Sequence, residues 1–141
     1  MTKITKPRSI KGMATMCARI AQEKLAENIL ILDLSKIDFA PADFFVICSC
    51  DTDIQSKAVS DFIISKSKEF KIQSPHTEGF DASSWIILDF FDVVVHIMIP
   101  GARNYYQLEK LWGDAKFSTL DDEGNVKAFD RKSINYEFLG K

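Results

Sequence analysis

Trp85-Ile86-Ile87-Leu88-Asp89-Phe90-Phe91-Asp92-Val93-Val94-Val95-His96-Ile97-Met98-Ile99 is the stretch that decides the fold. Two runs rich in β-branched and aromatic residues, 85–89 and 93–99, flank Phe90 and Phe91, which predicts an antiparallel hairpin. Alternation puts Val94, His96 and Met98 on one face and Val93, Val95, Ile97 and Ile99 on the other. The turn itself is unusual, because tight hairpin turns favour Asn-Gly or Asp-Gly and penalise bulky residues at positive φ. Either the turn is longer than two residues or the aromatics are held there for a reason.

Upstream, residues 44–50 and 29–34 are short, nearly continuous apolar runs, the pattern of strands buried on both faces. Helices should then cover each side of the sheet. From Ile10 the positions Met13, Ala14, Cys17, Ile20, Ala21 and Leu25 recur at three- and four-residue steps, an amphipathic helix capped by Ser9. A second helix should start at Asp51-Thr52-Asp53, where short polar side chains cap free N–H groups, and run to about Phe70. Ile54, Ala58, Phe62, Ile63 and Phe70 would be its inner face. Residues 72–78, broken by Pro75, read as a short strand or edge segment closed by Gly79.

Downstream, residues 102–112 read as one helix with Tyr105, Leu108, Leu111 and Trp112 at helical spacing, stopped by Gly113. Residues 117–120 and 126–129 can form a small hairpin, and 1–9 read as a loose arm.

The chain has 141 residues, 46% of them hydrophobic and 27% charged, enough to bury about two-thirds of its unfolded surface as one domain. No apolar run approaches the length of a membrane span. Three cysteines without a C-x-x-C spacing argue against both a disulfide framework and a zinc site, so a reducing, cytosolic setting is expected. The formal net charge is −2, and only the N-terminal arm is basic. Direct DNA or RNA binding is therefore disfavoured, and a basic protein surface is the better charged partner.

Three constellations carry possible chemistry. Asp51 and Asp53 could hold Mg²⁺ for nucleotidyl transfer, but no glycine-rich phosphate loop precedes them and capping gives them a sufficient structural role. Asp89, Asp92 and His96 could form a general base, but no nucleophile is tied to them by spacing. Trp85, Phe90, Phe91, Tyr105, Tyr106 and Trp112 are mixed with Asp89, Asp92, Arg103, Glu109 and Asp114. One helix and one turn cannot bury so many aromatics. Tyr106 and Phe91 fall off the inner stripe, and exposed aromatics among charges are the composition of an interface.

The succession of motifs is also familiar: Leu32-Asp33-Leu34, Ala42-Asp43-Phe44-Phe45-Val46-Ile47, Glu78-Gly79, the Trp85–His96 hairpin, and Arg103-Asn104-Tyr105-Tyr106-Gln107-Leu108-Glu109-Lys110-Leu111-Trp112. Over residues 10–115 the chain resembles the ribosomal silencing factor family, RsfS or Iojap-like, with 1–9 as an arm and 116–141 as an extension. The resemblance implies a single α/β domain with a mixed sheet of about five strands flanked by helices, of nucleotidyltransferase-like topology but without catalytic residues or cofactor. It further implies a cytoplasmic homodimer that binds the large ribosomal subunit through ribosomal protein uL14, blocks joining of the small subunit, and represses translation. Carried onto matching positions, the partner-binding candidates are Trp85, Asp89, Asp92, His96, Arg103, Tyr106, Leu108, Glu109 and Trp112. Family members usually carry Gly where this chain has Phe91. A metal-dependent enzyme using Asp51 and Asp53 is the competing expectation, and a dimeric adaptor with a partner other than the ribosome is a third.

Overall fold

The computed structural model describes residues 4–134. Its order is α1 (Ile10–Glu23), β1 (Glu27–Asp33), β2 (Phe44–Ser49), α2 (Asp53–Glu69), β3 (His76–Glu78), β4 (Trp85–Asp89), β5 (Val93–Met98), α3 (Pro100–Tyr106), α4 (Leu108–Leu111), β6 (Lys116–Leu120) and β7 (Val126–Ala128). Among the described residues one mixed sheet has seven strands in the order β3-β4-β5-β2-β1-β6-β7. Only β2 and β5 pair in parallel; every other neighbouring pair is antiparallel.

Seven strands replace the expected five. The additions are at the edges: β3 and β7 are three exposed residues each, too short to show alternation. β6 hydrogen-bonds along β1 through Leu32 and Phe117, so the sheet continues past residue 115.

β2 and β5 are buried along their whole length, which requires cover on both faces. On one face α1 and α2 enclose Val46, Cys48, Val93, Val95, Ile97, Ile86 and Leu88. On the other, Leu30, Leu32, Phe45, Ile47, Val94 and Met98 pack with Leu108 and Phe117. The hairpin alternation read from the sequence is the division between these two cores. Cys17, Cys48 and Cys50 are all free and buried, and burial pushes the Cys17 thiol up to about 12.

α1 begins where expected, with Gly12 N donating to Ser9 Oγ at 2.9 Å. It ends at Glu23, and Leu25, at φ 67°, turns out into solvent instead of extending the stripe.

α2 corrects its expected face. Ile54 and Ala58 are exposed, and the buried side is Ser56, Val59, Ser60, Ile63 and Ser67. Serines can face a core here because they bond their own helix: Ser56 Oγ donates to Thr52 O and Ser67 Oγ to Ile63 O. A back-bonded hydroxyl is a small side chain that lets a helix approach closely.

The largest correction falls on 102–112. The helix breaks at Gln107, which lies in the left-handed region at φ 47°, ψ 52°. In an unbroken helix residues 103 and 109, six apart, would point to nearly opposite sides. The break instead turns Glu109 back onto Arg103. It also puts the two short helices out of phase, so Tyr105 and Leu111, read as inward, are exposed.

The β4–β5 turn is tight. Phe90 N donates to Val93 O, Asp92 N donates to Phe90 O, and Phe91 between them stands at φ 78°. Asp89 Oδ1 accepts from Phe91 N at 2.7 Å and holds this conformation. At the other end of β4, Gly79 has φ +88°, and a Cβ there would lie 1.9 Å from Trp85 O. Only glycine closes the β3–β4 connection.

Candidate partner-binding site

Trp85, Ile87 and Asp89 alternate onto the face of the sheet that carries α3 and α4, beside Val94, His96 and Met98 of β5. There the side chains form one continuous aromatic row. Tyr105 stands edge-on to Tyr106 at 4.9 Å between centroids, and Tyr106 meets Trp85 at 4.8 Å. Trp85 lies 5.8 Å from His96, His96 4.5 Å from Phe45, and Phe45 6.0 Å from Trp112. Contacts of this kind are worth about 0.5–1.5 kcal/mol each beyond the area they bury. The row starts in water, with Tyr105 80% and Tyr106 55% exposed, and Leu111 at 72% lies on the neighbouring turn.

His96 anchors the buried part. Trp85 Nε1 donates to its Nδ1 at 3.1 Å, so the neutral ring carries its proton on Nε2. That Nε2 is buried with no hydrogen-bond partner among the described residues. Burial pushes the imidazole down to about 4, which keeps it neutral near pH 7. Asp89 spends a carboxylate oxygen on Phe91 N, and Asp92 receives Asp43 N and Phe44 N on its backbone oxygen. The carboxylate–histidine general base is therefore not assembled.

Arg103 and Glu109 correct the candidate list. They are 0% and 1% exposed, and Arg103 Nε donates to Glu109 Oε1 at 2.5 Å. Arg103 Nη1 also donates to Asn28 O and Ser49 Oγ. These two support the fold, as does buried Leu108. Of the other candidates, Asp89 and Tyr106 are exposed, Trp85, Asp92 and Trp112 are half-buried, and His96 lies beneath them. Sequence reading missed Tyr105 and Leu111 as surface residues and Phe45 as the ring linking His96 to Trp112. With Arg103 and Glu109 neutralising each other inside, the exposed charges nearby are Asp89, Lys110 and Asp114, a weakly acidic rim.

Asp51 and Asp53 are exposed and serve the start of α2. Gln55 Oε1 accepts from Asp51 N while Gln55 Nε2 donates to Lys24 O and Leu25 O, tying α2 to the α1–β1 turn. Among the described residues no three His, Cys, Asp or Glu side chains group as metal ligands. No helix among them is long and apolar enough to cross a membrane.

Residues 7–137 match the family described as ribosomal silencing factor during starvation. The chain is 41% identical over 111 residues to ribosomal silencing factor RsfS of Bacillus subtilis, covering 79% of this chain and 93% of that protein. It is 31% identical over 100 residues to mouse mitochondrial assembly of ribosomal large subunit protein 1, covering 69% of this chain and 43% of that one. A crystal structure of a Chromobacterium violaceum protein superposes with a TM-score of 0.71 at 27% identity, over 89% of this chain and 99% of that one.

Proposed function

This chain belongs to the ribosomal silencing factor family, and from that premise we propose that it binds the large ribosomal subunit through uL14 and blocks joining of the small subunit. It represses translation by covering a docking surface, in the cytoplasm, as a homodimer, and transforms no substrate. The observation that carries this reading is the aromatic row, which emerges from the core at Trp85 and ends on exposed Tyr106 and Tyr105. Exposed aromatics on a buried, hydrogen-bonded base lose little entropy on docking, which is how interface anchors work. A net charge of −2 favours a basic ribosomal protein over the phosphate backbone around it.

The test is sedimentation of purified large subunits with this protein, followed by addition of small subunits. Co-migration with the large subunit and loss of joined ribosomes is the expected result. Joining at the normal rate under saturating protein would overturn the reading.

A further inference from the structure

A cleft of about 330 Å³ opens between the end of α1, the start of β1 and the end of β6. It lies apart from the aromatic row. Its walls are mainly apolar: Ala26, Ile29, Leu30, Leu120, Phe129 and Ile134. Arg103, reaching across from α3, also lines it.

The arginine has one donor group unspent. Nε is committed to Glu109, and Nη1 to Asn28 O and Ser49 Oγ. Nη2 is buried with no hydrogen-bond partner among the described residues, on a side chain wholly removed from water. Buried guanidinium donors are normally satisfied, because an unmet one has lost its water and gained nothing. The other polar groups nearby are occupied: Gln22 Nε2 donates to Asp121 O, and Thr119 Oγ1 to Ile29 O. β1 is bulged here, with its register shifted between Glu27 and Leu30 and Asn28 at φ 51°. Such bulges re-aim a strand beside binding sites.

We infer that this cleft binds a small, mainly apolar molecule whose carbonyl or carboxylate oxygen accepts a hydrogen bond from Arg103 Nη2. The volume suits a single ring or short chain, at the low end of ligand pockets. Glu109 already balances the guanidinium charge, so one acceptor oxygen is enough. A multiply charged anion such as phosphate would meet that carboxylate and apolar walls with nothing else to neutralise it. The site does not depend on the proposed partner or on the aromatic row.

The experiment is a nuclear magnetic resonance titration of the full chain, reading backbone amide and methyl signals. Benzamide, benzoate and inorganic phosphate are added separately to millimolar concentration. Benzamide or benzoate should give saturable shifts at Ile29, Leu30, Leu120 and Ile134, and phosphate none. Arg103→Met removes a buried ion pair and puts folding itself at risk, so the variant used is Ser133→Trp, an exposed rim position of the same cleft. It should abolish the shifts and leave the rest of the spectrum in place. Absence of saturable shifts with both organic probes, shifts with phosphate alone, or shifts unchanged in Ser133→Trp would each overturn the assignment.

Discussion

Glu109 accepts from Arg103 Nε at 2.5 Å across a break in the helix, and both side chains are almost completely removed from water. The pair is what the left-handed Gln107 makes possible, and it fixes α3 and α4 at the angle that puts Tyr105, Tyr106 and Leu111 outside. Breaking a buried ion pair from one side leaves an uncompensated charge, at a cost of about 3–5 kcal/mol. Glu109→Leu should lower stability by that order in urea unfolding followed by circular dichroism. Arg103→Met with Glu109→Leu should cost less than the sum of the single changes, with a remainder from the lost bonds to Asn28 O and Ser49 Oγ. Glu109→Lys would therefore report on folding, not on the charge of a partner.

His96 gives the fold a pH dependence. Its folded value lies near 4, against an ordinary value of 6.5, so between those limits the unfolded chain binds the proton more readily. Stability from this group is complete above about pH 6.5 and is lost as the pH falls towards 4. The total is on the order of 3 kcal/mol, at about 1.4 kcal/mol per pH unit. Urea midpoints at about pH 7 and about pH 5 measure it. In His96→Gln, whose amide oxygen can still accept from Trp85 Nε1, the fall between those two midpoints should shrink. An equal fall in both proteins would assign the acid sensitivity to carboxylates elsewhere.

Phe91 is exposed and sits at φ 78° between Asp92 N and the Phe90 O that accepts from it. A bulky residue held there stores on the order of 1–3 kcal/mol of strain. Glycine removes the strain but adds about 0.5–1 kcal/mol of unfolded-chain entropy. Phe91→Gly should therefore stabilise the domain by about 1 kcal/mol, read as a raised urea midpoint. A loss of stability would mean that the exposed ring has packing worth more than its strain.

Sequence and fold agree where one local rule acts alone. The α1 stripe with its Ser9 cap, the two-sided burial of β2 and β5, and the hairpin faces all follow from periodicity and capping. The seat of Phe91 is recognisably unusual, but its positive φ depends on Asp89 Oδ1 and on the β2 contacts of Asp92, which no local pattern encodes. Gln107 gives no warning, since neither glycine, asparagine nor proline marks the break. The force behind it is a pairing of Arg103 with Glu109 that becomes visible only when β1 and β2 supply Asn28 O and Ser49 Oγ. The inner face of α2 is hidden for a similar reason. Its serines look polar in sequence, and Ser56 and Ser67 bond their own helix in the fold. The site is legible at Tyr106, off the stripe on any helical wheel, and illegible at Tyr105 and Leu111, whose exposure comes with the break.

Gly79 tests how rigidly the aromatic row is seated. Any Cβ at this position would collide with Trp85 O, at a φ that side chains rarely adopt. Gly79→Ala should cost on the order of 2 kcal/mol or more, from backbone strain and the displacement of β4 together. Because Trp85 is the residue pushed, the fluorescence of the native state should change along with the unfolding midpoint. A midpoint shift with unchanged native fluorescence would place the strain in the β3–β4 turn and leave the row undisturbed.

Tyr105 and Tyr106 separate the binding reading from the folding one. Both rings are largely in solvent, so Tyr106→Ala and Tyr105→Ala should change unfolding midpoints little, within about 1 kcal/mol for the contacts between rings. If the row is the docking surface, truncating a central anchor should cost on the order of 2 kcal/mol or more of affinity for the large subunit, roughly 30-fold. Trp112→Ala is the contrasting variant: the ring is half-buried against Phe45, so stability and binding should fall together. Phe91→Gly, outside the row, should leave binding unchanged. Full affinity retained by both tyrosine variants would move the docking surface to another face of the sheet, whatever the family.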